Sequence, residues 1–152
     1  MYSCKKTSSG APSSNNNDTT TNNTPPPVNH VNVFTVTDGT AKSYSPVIAS
    51  NGPGMMSGYV LNITAGSYPN MIEIEVLSQT AIAVGTYTNT INSANAYFFY
   101  GIYGTSNTQG GNQDTITITS INGTNVKGTF SGDVFSNTLQ KSLTNGSFDV
   151  NF

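Results

Sequence analysis

The chain is poor in the residues from which most chemical sites are built: it has one Cys, one His and no Trp in 152 residues. A single Cys cannot form a disulfide within the chain, and one Cys with one His cannot supply the four ligands of a structural zinc site. Charged residues make up 8% of the sequence, with 5 Lys or Arg against 7 Asp or Glu. Because so little positive charge is available to pair with phosphates, we expect no nucleic-acid partner.

Long apolar runs are also lacking, since no stretch approaches the roughly 18 residues that a membrane-spanning helix needs. The chain has instead 22 Thr, 20 Asn and 18 Ser, so 60 of its 152 positions carry small neutral polar side chains. Between Thr7 and Pro27 there is almost no apolar side chain. A segment that buries so little apolar surface does not recover the entropy of ordering. We therefore expect a disordered linker over residues 1–27 and one domain over residues 28–152.

Alternation of apolar and polar residues begins at Val28 and is clearest over Thr115–Thr119, where two isoleucines share one strand face and three threonines the other. Residues 72–76 and 148–152 repeat it. Dipeptides such as Asn122-Gly123 stand between these runs and are typical of hairpin turns. No window has a convincing helical period. The sequence therefore predicts an all-β domain of about eight to ten antiparallel strands, either a two-sheet sandwich or a flattened up-and-down barrel.

With few large aliphatic residues, the core of this domain must draw much of its volume from aromatic rings, each burying about 150–250 Å². Gly128 and Gly132 lie in phase with Val126, Phe130 and Val134, which predicts close backbone approach, a bulge or an aromatic ring lying across the strand. The aromatic residues expected in the core are Phe34, Tyr59, Tyr87, Phe98, Phe99, Phe130, Phe135 and Phe148.

The first residues, Met1-Tyr2-Ser3-Cys4-Lys5-Lys6, place a small residue before a Cys, and a polar linker follows. This start resembles that of the lipoproteins of Bacteroidota, in which the Cys is diacylated. The resemblance implies lipidation at Cys4, and two or three acyl chains would anchor the protein without a spanning helix. It also implies the bacterial outer membrane as the location. Lys5 and Lys6, in place of acidic residues, favour the periplasmic face over the cell surface.

Four segments of the second half follow one another in a recognisable order: Gly85-Thr86-Tyr87, Ile116-Thr117-Ile118, Gly128-Thr129-Phe130 and Asn145-Gly146-Ser147-Phe148-Asp149. Together they resemble a family of small all-β lipoprotein domains of unknown function in Bacteroidota. The resemblance implies strands and an anchor and carries no catalytic residue. The tripeptide Asp18-Thr19-Thr20 resembles the O-glycosylation sites of Bacteroidota envelope proteins, which implies modification at Thr19.

Candidate catalytic and metal-binding groups are few. Glu73 and Glu75 could form the acid pair of a glycoside hydrolase, whose carboxyl groups lie about 5–10 Å apart, but we interpret them as the solvated face of a strand. We interpret His30 as a solvent-exposed residue and not as part of a catalytic triad. Asp114, with residues 110–113, is interpreted as a turn and not as a calcium site. The sequence therefore predicts no enzymatic activity, no metal and no cofactor.

The most unusual segment is the aromatic run over residues 96–103. Tyrosine joins an apolar ring to a polar tip, which suits stacking on sugar rings, so Tyr97, Tyr100 and Tyr103 are the candidate ligand-binding residues. Placement of these rings in the core or at its rim is the alternative.

These observations predict a lipid-anchored envelope protein with a non-catalytic binding or scaffolding domain. The two alternatives are a carbohydrate-binding module with a tyrosine-rich face and a barrel that holds a small apolar ligand. The expected partners are the membrane, reached through a lipid on Cys4, and either a glycan or another envelope protein.

Overall fold

The computed structural model describes residues 29–54, 58–90, 93–100, 104–106, 114–135 and 140–152. Over these residues the chain forms strands and turns without a helix, and so contains no helical segment able to cross a membrane. The strands in chain order are β1 Val33–Thr37, β2 Ala41–Ser43, β3 Val47–Pro53, β4 Tyr59–Ser67, β5 Asn70–Ser78, β6 Gly85–Thr90, β7 Ser93–Ala94, β8 Ala96–Tyr100, β9 Gly104–Ser106, β10 Asp114–Ile121, β11 Asn125–Phe135 and β12 Gln140–Asn151.

The strands form two antiparallel sheets. The first sheet has the order β2-β1-β12-β11-β10-β6-β7, and the second has the order β3-β4-β5-β8-β9. They meet where the end of β11 pairs with β9, after its earlier residues have paired with β10. Among the described residues β3 pairs only with β4, so the sheets do not close into a barrel. The all-β sandwich is therefore confirmed, with nine strands of five or more residues, and the barrel alternative is wrong.

The core lies between the two sheets and is built from alternate residues of each strand. Ile116 and Ile118 of β10 are fully buried beneath the first sheet, and Ile72 and Ile74 of β5 are buried beneath the second. Burying such a side chain stabilises the fold by about 1.5–3 kcal/mol. The period-two alternation in the sequence therefore identifies the inward positions on both sheets.

Aromatic rings fill the centre of this core. The rings of Phe34 and Phe130 lie 5.0 Å apart between centroids, and those of Phe130 and Phe148 lie 6.5 Å apart. All three are buried as predicted, and Tyr87 packs against the core. Tyr59 is 38% exposed, so its predicted place in the core is wrong: it begins β4 at the end of the sheet. The side chains of Phe98, Phe99 and Phe135 lie outside the described residues.

Two glycines are required by these rings. A Cβ on Gly146 would lie 2.6 Å from the ring of Phe130, and one on Gly128 would contact the ring of Phe148 and the carbonyl oxygen of Thr117. The register also shifts between Phe130 and Gly132. Of the alternatives predicted for these glycines, the structure shows a ring across the strand at Gly128 and a register shift next to Gly132.

Asn32, just before β1, links the two sheets at their open side. Its Nδ2 donates to the carbonyl of Val47 in β3 at 3.1 Å and to that of Asn151 in β12 at 3.4 Å. The backbone N–H of Asn151 donates to its Oδ1 at 2.8 Å. The side chain of Asn32 thus joins the backbones of β3 and β12 by hydrogen bonds at this corner, where the two strands do not pair directly.

Candidate binding face

The outer face of the first sheet carries a row of hydroxyl groups that crosses six strands. The register places these residues directly opposite one another on neighbouring strands. Adjacent strands lie about 4.8 Å apart, so the row extends for roughly 24 Å. The outward position is clearest for Thr35 and Thr117, because the two neighbours of each along its strand are buried in the core. The members, in order from β2 to β6, are Ser43, Thr35, Ser147, Thr129, Thr117 and Thr86.

A second hydroxyl row runs beside the first. Thr88 pairs with Thr115, and Thr115 pairs with Ser131. On the next strand the pattern is interrupted by Asn145, whose φ of 50° is left-handed, and by the register shift between Thr35 and Thr37. Asparagine tolerates this conformation better than most residues. The resulting bulge turns the Asn145 position outward between two hydroxyl-bearing strands.

Two adjoining cavities lie on this face, and we call them together the hydroxyl groove. One has a volume of about 440 Å³ and the other about 330 Å³, and Asn145 lines both. The larger is lined by Thr115, Thr117, Thr129, Phe130, Ser131, Asn145, Gly146 and Ser147. The smaller is lined by Thr35, Val36, Thr37, Ala41, Lys42, Ser43 and Asn145. Apart from Lys42 at one end, no lining residue is charged.

Several groups of the hydroxyl groove keep their hydrogen-bonding capacity open. The hydroxyls of Thr35 and Ser147 bond to each other at 2.8 Å. By contrast, the side chains of Thr129, Ser131 and Asn145 make no hydrogen bond to any part of the chain that the structure describes. A hydroxyl offers one donor and two acceptor positions, and an amide offers both functions. The groove can therefore donate to and accept from an uncharged polar ligand.

Charges flank the groove and are neutralised there. At one end the buried carboxylate of Asp38 contacts Lys42 at 2.7 Å and Lys141 at 3.2 Å. At the other end Asp149 contacts Lys127 at 2.7 Å and His30 at 3.1 Å. The face therefore presents little net charge to a ligand.

The pKa of Asp149 is lowered by these partners. Burial acts to raise it, but hydrogen bonds from Lys127 and Asn125 and the charges of His30 and Lys127 outweigh that effect. Asn125 Nδ2 lies 2.9 Å from the carboxylate. Asp149 therefore stays ionised at neutral pH and keeps its ion pair with Lys127. His30 lies at its side, with Nε2 3.1 Å from Asp149 Oδ1.

The predicted acid pair lies on the outer face of the second sheet. Glu73 and Glu75 are half-buried on β5, and Asn62 on β4 donates from Nδ2 to Glu73. Thr64 in turn donates to Asn62 Oδ1 at 3.2 Å. Burial and the neighbouring charge of Glu73 raise the pKa of Glu75, against a hydrogen bond from Asn62. The two carboxylates lie on a face shared with aliphatic side chains and an amide network.

The candidate tyrosines do not all share one strand face. Tyr97 is half-buried and pairs with Glu75, on the outer face of the second sheet. Tyr100 pairs with Ile72, whose side chain is buried in the core, so its position has the opposite parity along β8. The side chain of Tyr100 and all of Tyr103 lie outside the described residues, so their role in binding stays a prediction.

Three further predictions also fall outside the described residues: the lipidation site at Cys4, the acceptor Thr19, and the linker over residues 1–27. Residues 110–113, weighed as a calcium loop, lie outside them too. Asp114 itself is buried, and its Oδ1 accepts from the backbone N–H of Asp133 at 2.9 Å. Within the described part of the chain, no group of three or more Asp, Glu, His or Cys side chains comes together as a metal site.

The hydroxyl groove was not predicted as a site. The alternation over Thr115–Thr119 indicates an outward row of threonines along one strand. That these align with Thr35, Ser43 and Ser147 depends on a strand order that pairs residues more than a hundred positions apart. Similar Ser/Thr content at outward positions of several strands was the signal available in the sequence.

The chain matches no protein-family model, no curated protein sequence and no solved structure. Its function is therefore argued from its own residues.

Proposed function

We propose that this chain is a lipid-anchored protein of the bacterial envelope whose β domain binds a neutral glycan, without catalysis, in the hydroxyl groove of the first sheet. The observation that carries the proposal is the hydroxyl groove itself, where Thr129, Ser131 and Asn145 have open hydrogen-bonding capacity on an uncharged surface. The non-catalytic, lipid-anchored part rests on the sequence at Cys4 and on its resemblance to Bacteroidota lipoproteins.

A neutral glycan fits this surface because its hydroxyls both donate and accept hydrogen bonds, as those of serine and threonine do. Charged polymers would need counter-charges, and the charges beside the groove are already paired: Asp38 with Lys42, and Asp149 with Lys127. A chain of sugars could lie across the strands, parallel to the row of hydroxyls. The groove therefore replaces the predicted tyrosine face as the favoured site for a carbohydrate.

The affinity of one domain should be modest. Each hydrogen bond contributes about 0.5–1.5 kcal/mol net, because water must be displaced from both partners. Several anchored copies on one membrane would raise the effective affinity for a polymer that they bind together. The linker supports such binding, because about 20 extended residues could span roughly 60–70 Å from the anchor. Binding of this kind is scaffolding: it holds a polymer near a membrane without changing it.

The sheets do not close into a barrel, so the fold does not provide the interior that a small apolar ligand would need. The space between them is filled by side chains such as Phe34, Phe130 and Phe148.

The binding part of the proposal is tested by affinity electrophoresis in gels that contain neutral polysaccharides. We expect migration of the chain to be retarded, and the variant Thr129→Ala/Ser131→Ala to bind about 2- to 12-fold more weakly for each hydroxyl lost. Thr80→Ala, on an exposed position just after β5 of the second sheet, is the matched control and should bind normally. Retardation that survives the groove variant but is lost in Tyr97→Ala would transfer the site to the tyrosine face.

The anchor is tested separately by the intact mass of the protein expressed from its native locus. A mass that corresponds to a chain beginning at Cys4 with two or three acyl groups supports the envelope location. A mass that corresponds to an unmodified chain beginning at Met1 refutes the anchor while leaving the groove experiment unaffected.

A further inference from the structure

The outer edge of β3 presents unpaired backbone groups, and their positions follow from its pairing with β4. The register runs from Val47 opposite Ala65 to Pro53 opposite Tyr59 without a shift. Just beyond its two ends, the N–H of Gly66 donates to Pro46 at 2.8 Å and the N–H of Gly54 donates to Gly58 at 2.9 Å. Backbone bonds in an antiparallel pair alternate. The even-numbered residues therefore bond to β4, and the odd-numbered residues direct their N–H and C=O groups outward.

Asn32 confirms this parity and closes one end of the edge. It donates to the carbonyl of the odd-numbered Val47, where a neighbouring strand would otherwise donate. At the other end Pro53 has no N–H to offer. Between them, the outward N–H and C=O groups of Ala49 and Asn51 have no partner in the part of the chain that the structure describes.

Between Asn32 at one end and Pro53 at the other, this edge has none of the other features that usually prevent strand addition, as far as the described residues go. Charged side chains, bulges and short length protect most edges, yet β3 has seven residues, a regular register and no charged side chain. Ile48 on its outer face is 65% exposed. The one irregular neighbour, Asn32, covers only the beginning of the strand.

We propose that β3 pairs with β3 of a second copy of this chain, antiparallel, about a two-fold axis at Ser50. In this register Ala49 of each copy lies opposite Asn51 of the other. Because both are outward-bonding positions, the two pairs form four backbone hydrogen bonds. Each exposed Ile48 then lies opposite Gly52 of the second copy, where no heavy atom lies within 4 Å of a Cβ position. The edge is therefore complementary to itself in backbone bonding and in side-chain shape.

The consequence is one continuous sheet formed from the second sheets of two copies. The hydroxyl groove lies on the first sheet and stays accessible, so self-association is independent of the proposed glycan binding. With four backbone bonds and a short contact, the dimer should form at high concentration, as on a membrane surface.

The register is tested by disulfide trapping in the 152-residue chain with Cys4→Ser, to remove the native thiol. Position 50 forms a non-hydrogen-bonded pair across the axis, with Cα atoms about 4.5 Å apart, which lies within the range that a disulfide accepts. We expect Ser50→Cys to give a covalent dimer under mild oxidation at least tenfold faster than the neighbouring Asn51→Cys. Equal rates for the two variants would overturn the proposed register.

The interface is also tested without any introduced cysteine. The method is sedimentation equilibrium at concentrations up to about the millimolar range. We expect a weight-average mass that rises towards twice the 16.0 kDa of the chain, and a monomer for Ser50→Lys, which places two like charges at the axis. Thr144→Lys, an exposed position on β12, adds the same charge elsewhere and should dimerise normally. A monomeric parent chain, or a dimer that survives Ser50→Lys, would overturn the proposal.

Discussion

The two sheets are alike on their inner faces and differ on their outer faces. Inside, both present branched aliphatic residues such as Ile116 and Ile74. Outside, the first sheet carries hydroxyls such as Thr117 and Thr129, whereas the second carries carboxylates and exposed aliphatic residues such as Ile48. Packing dictates the inner residues, because both sheets must fill one core. The packing of the core does not dictate the outer residues, so the contrast between the two outer faces has a cause other than the core.

The electrostatics of the two outer faces also differ. Asp149 on the first sheet has basic and amide neighbours that lower its pKa. Glu75 on the second sheet has an acidic neighbour and partial burial, which raise its pKa. The outer face of the first sheet keeps its charges in ion pairs at its ends. The outer face of the second sheet holds two carboxylates side by side.

The largest expected effect on stability tests whether the inner faces of both sheets contribute equally to one core. Ile116→Ala beneath the first sheet and Ile74→Ala beneath the second should each lower the free energy of unfolding by about 2–5 kcal/mol, because each leaves a cavity in a filled core. Urea denaturation measures both. A loss near zero for either variant would show that its sheet does not share the core.

A somewhat smaller effect is expected where a ring covers a glycine of the first sheet. Gly128→Ala should cost about 1–3 kcal/mol, because the added methyl meets the ring of Phe148 and a backbone carbonyl. Gly123→Ala is the control, since nothing lies within 4 Å of its Cβ position, and its thermal midpoint should hardly change. Equal midpoints for the two variants would contradict the packing described for Phe148.

The acid dependence of stability should have opposite signs on the two sheets. The lowered pKa of Asp149 stabilises the fold above its ordinary value of 3.8, and this contribution is lost as the pH falls further. The raised pKa of Glu75 favours the fold below its ordinary value of 4.5, and that contribution is lost as the pH rises through the higher folded value.

Asp149→Asn should therefore be less stable than the parent chain at pH 7, and Glu75→Gln should be more stable. Both differences should shrink towards pH 3, as followed by urea denaturation at several pH values. If both variants change the free energy of unfolding in the same direction at pH 7, the electrostatic difference between the two outer faces is contradicted.

The smallest expected effect on stability concerns the hydroxyl face itself. Thr129→Val and Ser131→Val should change the free energy of unfolding by no more than about 0.5 kcal/mol, because both positions are exposed and exposed positions contribute little. The same variants should weaken retardation by neutral polysaccharides. A large loss of stability would mean that the hydroxyl rows serve the fold and not a ligand.

Much of the fold could be predicted from local pattern. Alternation located β5, β10 and β12 and assigned their inward residues, because a strand with one face in a core has period two. The spacing of Gly128 and Gly132 predicted close backbone approach, a bulge or a ring over the strand, without deciding among them. These features depend on neighbours in sequence or on one hairpin partner, so the sequence carries them directly.

The candidate site could not be predicted in the same way. The hydroxyl groove requires that β1 and β12 be neighbours, so that Thr35 meets Ser147, and no local signal specifies that pairing. Tyr59 was misplaced for a similar reason, since its exposure depends on where β4 begins relative to the other strands. The binding role of the aromatic run over residues 96–103 remains a prediction.

The pairing of β1 with β12 also delays completion of the first sheet during synthesis of the chain. The partners Thr35 and Ser147 are separated by 112 positions, and synthesis adds roughly 5–20 residues per second. β1 therefore waits roughly 6 to 22 seconds for the strand that completes its side of the first sheet. The meander of β3, β4 and β5 needs no such delay, since its hairpins close locally. During that interval Phe34 and Val36, fully covered in the finished domain, have no β12 to pack beside, and the newly made chain depends on its last strand for protection.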